Sequence, residues 1–266
     1  MKRKLVFFIP IFAIALITGC QLLQTKPVSP HLAMGNPSNA VENPNNYLIL
    51  RPQYALSYNR DNRTPNWAAW QLNKNWLGNV ERQDDFRVDD SLPSDWYRVK
   101  PSDYTGSGYD RGHVVPSADR TATVKDNSAT FLMTNIVPQT PDNNRGAWRE
   151  LEEYCRYLVK QGKELYIIAG VDGNSRKIGR NKQVTAPRST WKVIVVLDKP
   201  GVGIRGISKN TRVIAVNVTN RQNTSDDWKR YLVSVDELET ETGYNFLTQV
   251  PESIQQVIES RVDRNK

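Results

Sequence analysis

The 266-residue sequence predicts an α+β fold, a central antiparallel sheet flanked by helices. Three observations point there. Apolar runs rich in β-branched and aromatic residues, bounded by Gly, Pro, Asn or Asp, recur along the chain, while helical periodicity is confined to a few stretches. Strand and helix patterns do not alternate regularly, which disfavours a doubly wound parallel sheet. No internal repeat divides the chain, so a single mixed domain accounts for most of it.

Taken from the N-terminus, Met1 to Lys4 is a basic segment followed by "LVFFIPIFAIALI" (Leu5 to Ile17), an apolar run too short to span a bilayer comfortably. Residues 1–20 therefore read as a signal peptide. Its end, "ITGC", resembles the lipobox of bacterial lipoproteins, which makes Cys20 a lipid-anchored first residue of the mature chain and a contact with the membrane. Each buried acyl methylene adds about 0.8 kcal/mol to such an anchor. The alternative is an ordinary secretory signal cut nearby. Both place the chain outside the cytoplasm, secreted or lipid-anchored to the cell envelope. Residues 21–46 are rich in Pro, Asn and Ser without periodicity and read as a flexible tether, which would carry His31 beyond any rigid site.

Residues 47–266 form the folded domain. Candidate strands are Tyr54 to Tyr58, Ala68 to Leu72, Phe131 to Asn135, Leu165 to Ala169, Trp191 to Leu197, Arg212 to Val218 and Tyr231 to Val235. One helix is predicted from about Asn144 to Lys160. A second starts at Asp236, where "DELE" pairs an Asp cap with Glu239, and a third follows Pro251.

Composition then bounds the chemistry. A formal charge of +8 suits a polyanionic partner but also fits many secreted proteins, and Lys2, Arg3 and Lys4 supply part of it. With two His and two Cys in the chain, one of them Cys20, no intramolecular disulfide is available to the mature domain and zinc lacks its usual ligands. A metal here should be hard and oxygen-bound.

With His31 assigned to the tether, His113 in "YDRGHVVPSADR" is the histidine positioned for chemistry. If Tyr109 to Val114 is extended, Arg111 and His113 share one face while Asp110 and Gly112 take the other. A nearby guanidinium disfavours protonation of the ring, leaving a neutral base, and the same Arg can hold a phosphate. The tripeptide serves equally well a partly buried histidine bonded to a backbone carbonyl.

The following segment shifts that balance. At 100° per residue, Trp148, Leu151, Cys155, Leu158 and Val159 form the inward stripe of the predicted helix, and Asn144 projects onto the same direction in its first turn. Glu152 lies on the stripe's border with Arg156 one turn beyond, whereas Glu150 and Glu153 face outward as ordinary solvated charges. A buried-side amide and a border carboxylate need partners.

"DRGH", "ATFLMTNIVPQTPDNNRGAW" and "LEEYCR" together resemble the DNA/RNA non-specific endonucleases of the ββα-metal (His-Me finger) class, in order and spacing, from about residue 47 to the C-terminus. The resemblance implies a ββα-metal finger with His113 as general base, Asn144 as the protein ligand of one Mg²⁺ with Mn²⁺ as a substitute, and Glu152 ordering the metal's water shell. It implies that Arg82, Arg111 and Arg156 grip the scissile phosphate. The partners would be DNA and RNA, single or double stranded, cut endonucleolytically to leave 5′-phosphates, with an unidentified inhibitor protein as a further partner.

Other features have plainer readings. "TGSGYD" lacks the spacing of a phosphate loop or a nucleophile turn and reads as a flexible turn, and Asp110 as a structural hydrogen-bonding group. Asn135 and Asn143 are auxiliary polar candidates near the metal. Cys155 packs inward, and Trp67, Trp70 and Trp76 are divided between core packing and base stacking. Two other classes of function stay open at this stage: a non-catalytic envelope nucleic-acid binder, and a serine or phospholipid hydrolase.

Overall fold

The computed structural model describes residues 29–264; the signal peptide, Cys20 and the first part of the expected tether lie outside the described residues. The strands are β1 (Glu42–Asn43), β2 (Asn46–Leu50), β3 (Ala55–Asn59), β4 (Thr64–Leu72), β5 (Asp110–His113), β6 (Ile136–Gln139), β7 (Glu164–Ile178), β8 (Val184–Leu197), β9 (Arg212–Thr219) and β10 (Leu232–Val233). The helices are α1 (Val124–Ala129), α2 (Pro141–Arg145), α3 (Ala147–Lys160), α4 (Val235–Thr242) and α5 (Glu252–Ile258). Eight strands form one antiparallel sheet in the order β1-β2-β3-β4-β7-β8-β9-β10, and β5 pairs with β6 in a separate two-stranded sheet.

Alternation along the strands produces two cores. Ala68, Trp70 and Leu72 of β4, Ile167 and Ala169 of β7, Ile194 and Val196 of β8 and Ile214 and Val216 of β9 face one side, where α3 lays down Leu151, Cys155, Leu158 and Val159. Trp67 and Ala69, Ile168, Val193 and Val195, and Val213 and Ala215 face the other, covered by Val235 and Leu238 of α4 and Ile258 of α5. Burial on both faces explains why the central strands read as continuous apolar runs rather than alternating ones. The inward stripe predicted for α3 is the buried one.

The expected tether is corrected for residues 29–46. His31, Met34 and Ala40 are buried, and Ser38 Oγ accepts from the indole of Trp67 at 2.7 Å. His31 Nε2 lies 2.8 Å from the Pro52 carbonyl, and Gln71 N donates to its Nδ1 at 3.2 Å. Met34 and Ala40 join the second core, with Leu32 and Ala33 packed against it. Burial, only partly offset by the bond to Pro52 and reinforced by Arg120, lowers the His31 pKa to about 4.

Three element assignments also shift. Phe131 to Asn135 is not a strand: Asn135 bonds Val115 N and the Val115 and Thr130 carbonyls with its side chain, curling Met133–Asn135 into a 3-10 turn before β6 begins. The helix expected at Asp236 starts two residues earlier in register, capped by Ser234 with Glu237 closing a capping box, which shortens the preceding strand to Leu232–Val233. The helix expected from Asn144 is two helices, α2 and α3, separated at Gly146.

Candidate active site

β5 and β6 are antiparallel, with His113 opposite Ile136 and Asp110 opposite Gln139, and the chain runs from β6 directly into α2. This is a ββα finger. Gly112 is needed at its centre, because a Cβ there would overlap the buried Gln139 side chain. Arg111 and His113 share a face as alternation predicts: the Arg111 guanidinium lies 4.3 Å over the Phe86 ring, and the same ring sits 5.3 Å from the imidazole.

Phe131 fixes the imidazole from another side, edge to face at 4.8 Å and 87°. Arg82 covers Phe131 in turn, its guanidinium 4.8 Å from that ring, and is tied by Nη1 to Ser117 Oγ at 2.9 Å and by Nε to Asp84 at 2.7 Å. His113 Nε2 is buried and has no hydrogen-bond partner among the described residues. Desolvation first, then the charges of Arg82 and Arg111, pull its pKa down to about 3. The ring is therefore neutral across the physiological range.

Asn144 is not on the inward stripe of α3. The backbone break at Gly146, where Asp142 O and Asp226 approach too closely to admit a side chain, turns α2 away from the α3 register. The Asn144 amide is instead held by β5: its Nδ2 donates to Asp110 Oδ2 at 2.9 Å, while Arg145 clamps the same carboxylate with two bonds of 2.8 and 2.7 Å. Burial works to raise the Asp110 carboxyl, but the bonds from Arg145 and Asn144 more than offset it and hold the group below its usual value. Asp110 thus has the structural role expected of it. With Nδ2 engaged, the Asn144 carbonyl oxygen takes no protein donor among the described residues.

Arg82, Arg111 and Asn144 line one open cavity of about 410 Å³, together with Phe86, Tyr109 and Asp110. His113, its Nε2 buried, does not line it, and neither Glu152 nor Arg156 lines it. Glu152 and Arg156 stand one and two turns into α3, where Arg156 Nη1 pairs with Asp119 Oδ1 at 2.9 Å. The two arginine positions are joined by one short turn, Ser117–Asp119, whose first residue bonds Arg82 and whose last bonds Arg156. Glu152 lies 3.9 Å from Nζ of Lys192, a fully buried lysine whose ammonium sits 4.1 Å over the Trp148 ring. Burial pushes the Glu152 carboxyl up to about 7, against the opposing pull of Lys192 and Arg156.

Sequence reasoning missed Lys192, Asp119, Ser117, Phe86 and Phe131. A signal existed for Lys192, the one charge inside "WKVIVVL", because a lone lysine in an apolar strand demands a counter-charge. Asn135 and Asn143 are buried and spent on structural bonds, Asn143 to Gln139, Thr190 and the β9 backbone. Trp67 and Trp70 are core residues, Trp76 packs on His31 and Arg120, and Cys155 is a buried thiol pushed by burial up to about 12.

Among the described residues no group of three His, Cys, Asp or Glu converges on this cavity. The donor set is one neutral amide oxygen at the rim of a space large enough for several waters. That fits Mg²⁺, which keeps much of its hydration shell and takes few protein ligands, and does not fit zinc.

The family model for DNA/RNA non-specific endonuclease matches residues 31–253. This chain belongs to that family. A nuclease of Nostoc sp. is 58% identical over 94% of this chain and 95% of its own length. Human mitochondrial endonuclease G is 34% identical over 56% of this chain and 54% of its own. A solved structure of the EndoG/EndoGI complex, described as showing the mechanism of EndoG inhibition, superposes with a TM-score of 0.70 at 26% identity, covering 85% of this chain and 94% of that one. The chain is thus an endonuclease acting on nucleic acid, of a metal-dependent family, and its finger sits in an α+β body like that neighbour's. The family match also begins at residue 31, consistent with the ordered segment found there.

Proposed function

We propose that this endonuclease hydrolyses phosphodiester bonds of DNA and RNA alike, with Mg²⁺ held through Asn144 and His113 as general base, leaving 5′-phosphate ends. The observation that supports it most directly is the neutral imidazole of His113, its buried Nε2 unbonded, set beside two arginines that share a cavity with a free amide carbonyl. Phosphodiester hydrolysis needs a deprotonated water in line with the leaving oxygen and positive charge on the crowded phosphorus. His113 accepts the water's proton at Nε2. Arg111 and Arg82 donate to the non-bridging oxygens, and their fixed charges also keep the ring unprotonated beforehand.

When bound, the divalent ion supplies charge to the phosphate and the leaving oxygen, a role Mn²⁺ also fills. Asp110 orients the Asn144 amide by accepting from its Nδ2, leaving the carbonyl oxygen as the protein group that would hold that ion. Glu152 takes no hydrogen bond from the described residues and would hold water on the α3 side, where burial favours its neutral form and Lys192 opposes that. Arg156, anchored to Asp119, would add its positive charge on the same side. None of these contacts reads a base or a sugar, which is why both nucleic acids, single or double stranded, are substrates.

Cys20 and the apolar run before it support a location outside the cytoplasm, with the enzyme lipid-anchored or released. An inhibitor protein covering the arginine-lined cavity is a partner of the kind present in the EndoG/EndoGI complex.

The test is cleavage of plasmid DNA and of RNA with Mg²⁺, with Mn²⁺ and with EDTA, beside His113→Ala and Asn144→Ala. The expected result is metal-dependent cutting of both substrates, with His113→Ala slower by about 10² to 10⁴ while still binding DNA. Near-wild-type turnover by His113→Ala removes that ring from the mechanism, and DNA binding without cutting makes the chain a binder.

A further inference from the structure

Beyond the finger, β7 and β8 outrun the sheet. β4 pairs with β7 only as far as Gly170, and β9 pairs with β8 only from Ser189 onward, so Val171–Ile178 and Val184–Arg188 bond chiefly to each other. A free two-stranded ribbon is marginal in water. This one is braced: Ile178, Val184 and Ala186 pack into a small core with Tyr104, Met133 and Ile136, the last being the register partner of His113. Arg63 Nη1 donates to Gln183 O at 2.6 Å, and Thr185 N donates to Asn62 O at 2.9 Å. The arm is a rigid extension of the active-site finger.

Toward its tip its outer surface is basic, beyond the Arg188–Asp172 pair at its base. Arg176, Lys177 and Arg180 are exposed and line a second open cavity of about 330 Å³ with Thr105, Ser107 and Gly179, and no carboxylate lines it. Among the described residues none of the three forms an ion pair, although the domain pairs many of its other arginines. The two cavities are neighbours. Thr105 lines both, and the Arg176 guanidinium lies 4.8 Å over Tyr109, a wall of the first, while its Nη2 donates to Ser107 O at 2.6 Å.

We infer that this basic arm is a second nucleic-acid subsite, in which Arg176, Lys177 and Arg180 hold phosphates flanking the one cleaved between Arg82, Arg111 and Asn144. An unpaired cationic strip, braced against the reacting finger and bordering its cavity, fits a polyphosphate backbone better than an isolated anion. It grips length rather than sequence. The inference rests on the reading of the finger cavity as the place of cleavage.

The experiment is the salt dependence of binding to a duplex of about 20 base pairs, in EDTA, for the wild-type protein, Arg176→Ala/Lys177→Ala/Arg180→Ala, and Lys177→Gln/Arg180→Gln. The second variant leaves Arg176 on Ser107 O and guards against a disturbed loop. Each phosphate that the protein no longer neutralises lowers the slope of log K against log salt by about 0.9, so the triple variant should fall by about two to three units of slope and the double by about one to two. With Mg²⁺, cleavage of the long duplex should fall at least tenfold more than cleavage of a dinucleotide too short to reach the arm. Unchanged slopes, or equal losses on both substrates, overturn the proposal. Absence of cleavage by the wild-type protein would instead defeat the functional reading beneath it.

Discussion

At residue scale the proposed site centres on His113, an imidazole kept neutral by burial and by two neighbouring arginines. Two phenyl rings fix its plane and two arginines raise the cost of its protonation. Asn144 is positioned by the same strand, through Asp110. Asp110→Ala should therefore weaken the metal rather than abolish chemistry: about a tenfold rise in the Mg²⁺ concentration for half-maximal rate, with the maximal rate largely recovered at saturating metal. Initial rates against Mg²⁺ concentration read this directly. A collapse of rate that excess Mg²⁺ cannot restore would assign Asp110 to the reaction itself. The shared face of Arg111 and His113 is legible in "DRGH", because a period of two needs only four residues to declare itself. The rings of Phe86 and Phe131 are not, since they arrive from segments 27 positions before and 18 after the histidine.

At element scale the main departures have local causes. The sequence pattern around "PDNNRGAW" carries a helical period on both sides of Gly146, and period alone does not reveal a break at a glycine packed against Asp226 of a distant loop. Capping shows the same limit: "SVDELE" contains two overlapping cap signals, Ser234 with Glu237 and Asp236 with Glu239, and Ser234 prevails because Val235 can then enter the second core. The composition of residues 29–46 is that of a solvated segment, yet a handful of buried side chains decides its fate. Met34→Ala should cost about 2 to 5 kcal/mol in urea unfolding, the range for a buried methionine. An unchanged midpoint would return this segment to the role of a tether.

At the scale of the whole molecule, the antiparallel sheet with helices on its faces is legible, because apolar strand runs and the α3 stripe are long-range consequences of simple periods. The order of the strands and the separate finger sheet are not, because nothing local encodes which runs pair. The two histidines, 82 positions apart, are both desolvated groups whose pKa values lie below 6.5, near 4 for His31 and near 3 for His113. The unfolded chain binds protons at these rings between about pH 4 and 6.5 and the native chain does not. Their contribution to stability is thus complete above pH 6.5 and is lost as pH falls toward the folded values, at up to about 1.4 kcal/mol per pH unit for each. Urea unfolding of the wild-type protein and of His31→Asn/His113→Asn at pH 5 and pH 7 should show a smaller gap between the two pH values in the variant; an equal gap would mean that the rings exchange with water more freely than the packing indicates.

The proposed mechanism rests on one spatial arrangement, in which a single phosphorus would lie between the imidazole of residue 113 and an ion carried by the amide of residue 144. A crystal structure of the enzyme with Mn²⁺ and an uncleavable oligonucleotide measures it. The expected result is an anomalous peak about 2.0 to 2.3 Å from Asn144 Oδ1, on a phosphate whose far side faces His113 Nε2 through a single water. A peak bound elsewhere, or a phosphate whose open side faces away from the histidine, would contradict that arrangement.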